Sequence, residues 1–228
     1  MYLNPVYILF ALPALLLGLY AQFKVQSTFK KYLRVANARG ITGIAAAQEL
    51  LAVSGLSHVT VEGARGTLSD HYDPRSKTLR LSQAVAGQPS IASVAVVAHE
   101  IGHAIQDATG YTPMKLRSGL VPLVNIGSYL GPILFMLGLF AANSQLAWLG
   151  VIGFSSAAVF ALVTLPVELN ASSRALELLQ SSGIVVGQEM AAAKSVLDAA
   201  ALTYVAALAQ ALSTLLYYVS LLGGFRRD

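Results

Sequence analysis

Charged and apolar positions in this chain fall into long separate blocks. Residues 1–23 carry no charged side chain, and neither do residues 118–167 or 199–225. Each block is long enough for a helix to cross the hydrocarbon layer of a bilayer, which takes about 20 residues. The middle block is too long for one crossing and suits two. The run Ala-Ala-Asn-Ser-Gln at 141–145 divides it, so spans are predicted near 120–140 and 146–165. Gly127, Gly131, Gly138, Gly150 and Gly153 allow the two helices to approach closely. The last block predicts a span over 204–222, with a buried soluble helix as the alternative.

Between these blocks the period of the pattern changes. Thr42 is placed to cap a helix over 43–53, which Gly55 ends. Residues 58–62 (His-Val-Thr-Val-Glu) and 77–82 (Lys-Thr-Leu-Arg-Leu-Ser) alternate and predict strands, with Leu79 and Leu81 on one face. Such a pair makes a small hairpin covering the next helix, or an edge strand able to pair with an extended peptide. Ser90 caps that next helix, which ends between Asp107 and Gly110. Ala92, Ala95, Val96, Val97, Ala98, Ile101, Ala104 and Ile105 make it apolar nearly all round, so it is predicted to be buried. A further helix is predicted to open at Glu168, with the small residues Ala171, Ser172 and Ala175 beside the glutamate. Residues 188–222 are helical in pattern.

Composition supports a membrane protein with one modest polar domain. The 228 residues are 55% hydrophobic and 11% charged, against about 25% charged in soluble domains. With no cysteine, neither disulfides nor thiolate metal sites are available, so any metal is held by His, Asp or Glu. The net charge of +4 does not form a nucleic-acid footprint. Lys24, Lys30, Lys31, Arg34 and Arg39 follow the first apolar block at once, as a collar at a membrane surface does. The first block has no basic start and reads as an anchor rather than a cleaved signal. The basic excess after it predicts an N-terminus outside and a cytoplasmic following segment. Arg226 and Arg227 run against this orientation if the last block crosses. The chain thus divides into an anchor (1–23), a polar domain (24–117), a transmembrane hairpin (118–167), a helical return of the domain (168–203) and a last span with its tail (204–228).

The buried helix contains His99-Glu100-Ile101-Gly102-His103, the pattern H-E-x-x-H. Residues four apart on a helix share a face, so both imidazoles can meet one metal ion. Glu100 lies part of a turn round, within reach of a water at the metal. Two histidines and a glutamate in a buried helix are costly unless coordinated or paired. Glu168 follows the transmembrane hairpin. By spacing alone it is either a third metal ligand, completing the two-His, one-Glu set of catalytic zinc sites, or a glutamate marking the membrane edge. The chemistry implied is zinc-assisted amide hydrolysis with Glu100 as base. The oxyanion of such a reaction needs a donor, for which His71, Tyr72, Tyr111 and Arg174 are available. An Asp-Pro turn accounts equally for His71 and Tyr72, and a salt bridge for Arg174. Alternatives to a peptidase are a membrane scaffold with structural zinc, a zinc amidase acting on a non-peptide substrate, and a proton relay. A relay needs charges inside the spans, and the spans hold none.

Several motifs in order resemble the YugP-type membrane zinc metallopeptidases, relatives of the heat-shock and CAAX-prenyl membrane proteases of the gluzincin group. They are His-Tyr-Asp-Pro at 71–74, Leu-Arg-Leu-Ser at 79–82, Ala-His-Glu-Ile-Gly-His-Ala-Ile-Gln at 98–106 and Pro-Val-Glu-Leu-Asn-Ala-Ser at 166–172. The resemblance covers essentially the whole chain. It implies a mainly α integral membrane protein, with a gluzincin-like helical protease domain, a small β-hairpin or edge strand and three or four transmembrane helices. It implies one zinc ion per chain, held by His99, His103 and Glu168, with Glu100 as catalytic base. It also implies peptide or membrane-protein substrates, a multi-pass plasma-membrane location and, with the charge pattern, an active site at the cytoplasmic face. In related gluzincins an aspartate four residues after the ligand glutamate steadies a zinc-bound histidine. Here that position is Ser172, leaving Ser172, Asn170 or another residue for the role.

Overall fold

The computed structural model describes residues 5–225. The first four residues of the expected anchor, and Arg226 and Arg227, lie outside the described residues. Seven helices and three strands follow in the order α1 (Pro5–Leu33), α2 (Gly43–Val53), β1 (Thr60–Ala64), β2 (His71–Asp73), β3 (Thr78–Ser82), α3 (Gln83–Gly87), α4 (Ile91–Ala108), α5 (Thr112–Phe140), α6 (Ser144–Ser181) and α7 (Gln188–Phe225). Helices α1, α5, α6 and α7 are long and apolar enough to cross a membrane. This is the mainly α membrane protein expected, and it has two compact units. Residues 5–22, 115–166 and 203–225 make one, and residues 23–114 and 167–202 the other.

In the first unit the glycines do what their spacing predicts. A Cβ on Gly131 of α5 would lie 2.7 Å from the Phe154 nitrogen of α6, so the two backbones meet without side chains between them. Phe135 stacks on Tyr218 of α7 with ring centroids 4.3 Å apart. The Ser213 hydroxyl of α7 donates to the Phe10 carbonyl of α1.

The second unit is built around α4. Ser90 caps it by accepting from the Ser93 backbone N–H at 3.1 Å, and Thr42 caps α2 through Ala45. Thirteen residues of α4 are buried, among them Val94, Val97, Ala98 and Ile101, and they pack in one core with Leu50, Leu79, Leu81 and Val85. The all-round apolar pattern of this helix is thus spent on a central position.

Three elements differ from expectation. The strand predicted at 58–62 begins at Thr60 and leaves His58 in an exposed turn. It pairs parallel with β3, Val61 opposite Leu79, rather than forming a hairpin. The antiparallel partner of β3 is the three-residue β2, with Tyr72 opposite Leu79, giving the sheet order β1-β3-β2. The central position of β3 explains why Thr78, Leu79, Leu81 and Ser82 are all buried. Finally, no break precedes Glu168, because α6 runs unbroken from Ser144 through Pro166 to Ser181. Proline removes one backbone donor, a loss long apolar helices tolerate through packing and local adjustment.

The β2–β3 turn is held by Asp73. Its carboxylate accepts from the Arg75 backbone N–H at 2.9 Å and the Ser76 hydroxyl at 2.9 Å, and Arg80 lies 3.3 Å away. The Arg75 N–H first, then the Ser76 hydroxyl, pull its pKa from 3.8 down to about 2. A depressed carboxylate contributes stability above its unfolded pKa and loses it as pH falls through the folded value. Thermal unfolding in detergent should therefore show wild type losing stability between about pH 4 and pH 2 more steeply than Asp73→Asn. Parallel acid limbs would refute the turn's role.

Candidate metal centre

Helix α4 carries His99 and His103 on one face, one turn apart, with ring centroids 4.8 Å apart and planes at 83°. Opposite them α6 presents Glu168, which is 1% exposed. His99 Nε2 lies 3.3 Å from Glu168 Oε2 and His103 Nε2 lies 3.4 Å from the same oxygen. Donor atoms of the three residues all fall within 4.8 Å of one another, a grouping able to hold a metal ion. The two histidine–glutamate spacings fit zinc. Donors at 2.0–2.1 Å in a tetrahedral shell are about 3.3 Å apart. Two imidazoles and a carboxylate are also the donor set of catalytic zinc sites.

The far side of each ring is occupied. Ser172 Oγ lies 3.2 Å from His99 Nδ1. Gln106 Oε1 lies 3.0 Å from His103 Nδ1, while the Gln106 amide nitrogen donates to the Val167 carbonyl at 2.8 Å and to Asn170 Oδ1 at 3.0 Å. Both Nδ1 atoms being engaged leaves both Nε2 atoms directed at Glu168. Of the residues open for support of the histidines, Ser172 stands at His99 directly, and Asn170 acts through Gln106. Gln106 is a site residue that its role in the motif did not reveal. The signal was present, a polar side chain three residues after His103 on an otherwise apolar helix.

Close packing of α4 on α6 makes this geometry possible. Val167, Ala171, Ala175 and Leu179 recur every four residues along α6, and all are fully buried. A Cβ on Gly102 would lie 2.6 Å from the Ala171 carbonyl oxygen, so α4 needs glycine between its two histidines.

Glu100 is buried beside the donors, and Oε2 accepts from the Tyr72 backbone N–H of β2 at 3.0 Å. Burial pushes its carboxyl above the usual range, against the pull of His99 and His103. The Tyr72 phenol donates to Asp107 at 2.7 Å, and Lys77 pairs with the same carboxylate at 2.5 Å. Burial, then Asp107, push the phenol's pKa up. Tyr72 therefore meets Glu100 through its main chain, with its hydroxyl committed elsewhere. His71 is exposed, and its Nδ1 lies 2.8 Å from the Ser69 carbonyl. Arg174 donates from Nε to Asn170 Oδ1 at 2.8 Å, and its guanidinium lies 5.9 Å from the Tyr111 ring centroid. Arg174 and Tyr111 thus face each other at the outer end of the Gln106 network.

Residues 7–223 match the model of the family described as "Putative neutral zinc metallopeptidase". The chain belongs to this family. It is 45% identical over 213 residues to the "Putative membrane protease YugP" of Bacillus subtilis (strain 168), covering 93% of this chain and 95% of that protein. No solved structure matches. A zinc metallopeptidase family implies zinc, and the cluster of His99, His103 and Glu168 has the donors for it.

Gly102→Ala should force α4 and α6 apart and cost about 1–3 kcal/mol. Gly87→Ala, with nothing within 4 Å of the added carbon, should stay within about 0.5 kcal/mol. Thermal unfolding of both variants measures this, and equal stabilities would contradict the close packing.

Proposed function

We propose that this protein is a membrane zinc metalloendopeptidase in which His99, His103 and Glu168 hold the ion and Glu100 is the general base. The observation carrying this reading is the convergence of both Nε2 atoms on Glu168 Oε2 at 3.3 and 3.4 Å, with the Glu100 carboxylate beside them. When bound, zinc supplies Lewis-acid polarisation of the scissile carbonyl and lowers the pKa of water at the site.

The chain's own residues supply the rest. Glu100 accepts a proton from the attacking water at its carboxylate and returns it to the leaving amine, so the two transfers balance within one turnover. Its raised affinity for protons suits both halves of that task, since the best base titrates near working pH. The Tyr72 N–H at Oε2 fixes the carboxylate's rotation and leaves Oε1 to handle the proton. Strand β2 is an edge of the sheet. An extended peptide can add to such an edge by main-chain hydrogen bonds, which align a scissile bond with little demand on side-chain identity. Weak side-chain demand suits unfolded or mis-assembled membrane proteins as substrates and a quality-control role.

The basic group after the first span supports a cytoplasmic site in the plasma membrane. The transmembrane hairpin inserted between the H-E-x-x-H motif and Glu168 supports catalysis close to the bilayer.

Two experiments test the proposal. Purified in detergent, wild type and Glu100→Gln should each bind about one zinc, and the variant should cleave an unfolded protein substrate about 10²–10⁴-fold more slowly. Zinc-free wild type, or cleavage that survives the substitution, would overturn it. A cysteine placed at Gln145 should be labelled from outside the cell. Labelling only from the cytoplasmic side would reverse the orientation.

A further inference from the structure

Three polar side chains behind His103 can be ordered by asking which atoms have no choice of role. An arginine Nε–H only donates. The atom of Asn170 that lies 2.8 Å from Arg174 Nε must therefore be its oxygen. A backbone carbonyl only accepts. The end of the Gln106 amide that lies 2.8 Å from the Val167 carbonyl must therefore be its nitrogen. That same nitrogen reaches Asn170 Oδ1 at 3.0 Å, which agrees with Asn170 presenting oxygen. Gln106 Oε1 is then left facing His103 Nδ1 at 3.0 Å. An amide oxygen only accepts, so His103 Nδ1 carries a hydrogen, and Nε2, facing Glu168, is the nitrogen left for a metal.

We propose that Arg174, Asn170 and Gln106 form a directional hydrogen-bond chain that fixes His103 as its Nδ1–H tautomer, making Gln106 a positioning residue for the metal ligand. The chain starts at an obligatory donor and an obligatory acceptor, so no member can reverse without leaving two donors or two acceptors opposed. Gln106 is fully buried, and water cannot substitute for a lost partner without opening the core. His99 is held differently. Its Nδ1 faces the Ser172 hydroxyl at 3.2 Å, and a hydroxyl donates or accepts equally well. The two histidines are therefore unequal: His103 has its tautomer imposed, and His99 is free to adjust. Arg174 acts on the site from outside through two amides and touches neither ligand.

This inference rests on the zinc assignment above, and the test separates the two. Zinc affinity of the full-length chain in detergent is measured by competition with a chromogenic chelator, beside the melting temperature of the zinc-free protein. Gln106→Met should weaken zinc binding about 10–100-fold. Asn170→Asp keeps an oxygen acceptor for both Arg174 and Gln106, and should hold affinity within about threefold where Asn170→Leu does not. Arg174→Met frees Asn170 to turn and should weaken binding several-fold even if Gln106→Met fails to fold. Histidine ¹⁵N shifts of the zinc-free wild type should report His103 protonated at Nδ1. Wild-type affinity in Gln106→Met or Arg174→Met, or His103 lacking a proton at Nδ1, would overturn the inference. Failure of the wild type itself to bind zinc would instead overturn the zinc assignment.

Discussion

The carboxylate of Glu168 lies between two imidazoles in a nearly water-free space, and this burial sets the demands on its surroundings. Taking a carboxylate out of water costs several kcal/mol even after relaxation. Partners must therefore be brought to within hydrogen-bond or coordination distance. Here they come from α4, which places His99 and His103 one turn apart, both directed at one oxygen. To reach them α6 must lie almost backbone to backbone with α4. That requirement accounts for glycine at 102 and for alanine at 171 and 175. It also accounts for the burial of α4. A helix surrounded by α2, α3 and the sheet cannot shift to relieve a poor contact, so the two rings are held where the glutamate needs them.

The same constraint extends to the sheet. Glu100 shares the helix and the burial, so it too needs a donor, and β2 provides one from the Tyr72 main chain. The phenol of Tyr72 ties β2 to Asp107 near the end of α4, and Lys77 ties the following turn to the same carboxylate. One short strand is thus fastened to the helix at two points along its length. A backbone donor is well suited to Glu100, because its direction is set by the strand and does not depend on a rotamer.

Much of this was legible in the sequence, and the legible parts are local. Thr42 and Ser90 announce helix starts because capping involves residues three apart. The H-E-x-x-H spacing announces a shared face because 3.6 residues make a turn. The glycines of 127–153 announce a tight helix pair because only a missing side chain permits it. The misread parts depend on distant partners. Strand β2 is three residues long and ends at Asp73-Pro74, so it reads as turn until β3 lies beside it. Strand β1 looks like the first arm of a hairpin, although its register with β3 is parallel. Pro166 reads as a helix break, yet α6 passes through it. Gln106 was visible as an odd polar residue on an apolar helix. Its role is defined by Val167 and Asn170, which nothing local places beside it.

Under the proposed assignment, the neutral Ser172 beside His99 limits the negative charge buried at the site. If zinc is held by His99, His103 and Glu168 and Glu100 is ionised, two positive charges meet two negative ones, and the formal total is zero. An aspartate at 172 would make such a site formally anionic, at a desolvation cost. Support for the rings comes instead from a hydroxyl and an amide, neutral groups that orient a ring without adding charge. Neutral partners also leave the imidazoles less electron-rich than carboxylate partners do, so a metal bound there would keep more of its Lewis acidity. In such a shell direction has to replace charge. A lone hydroxyl does not impose a tautomer, whereas an amide locked between a carbonyl and an asparagine oxygen does. The buried Gln106 thus supplies that direction at His103, while Ser172 stands at His99.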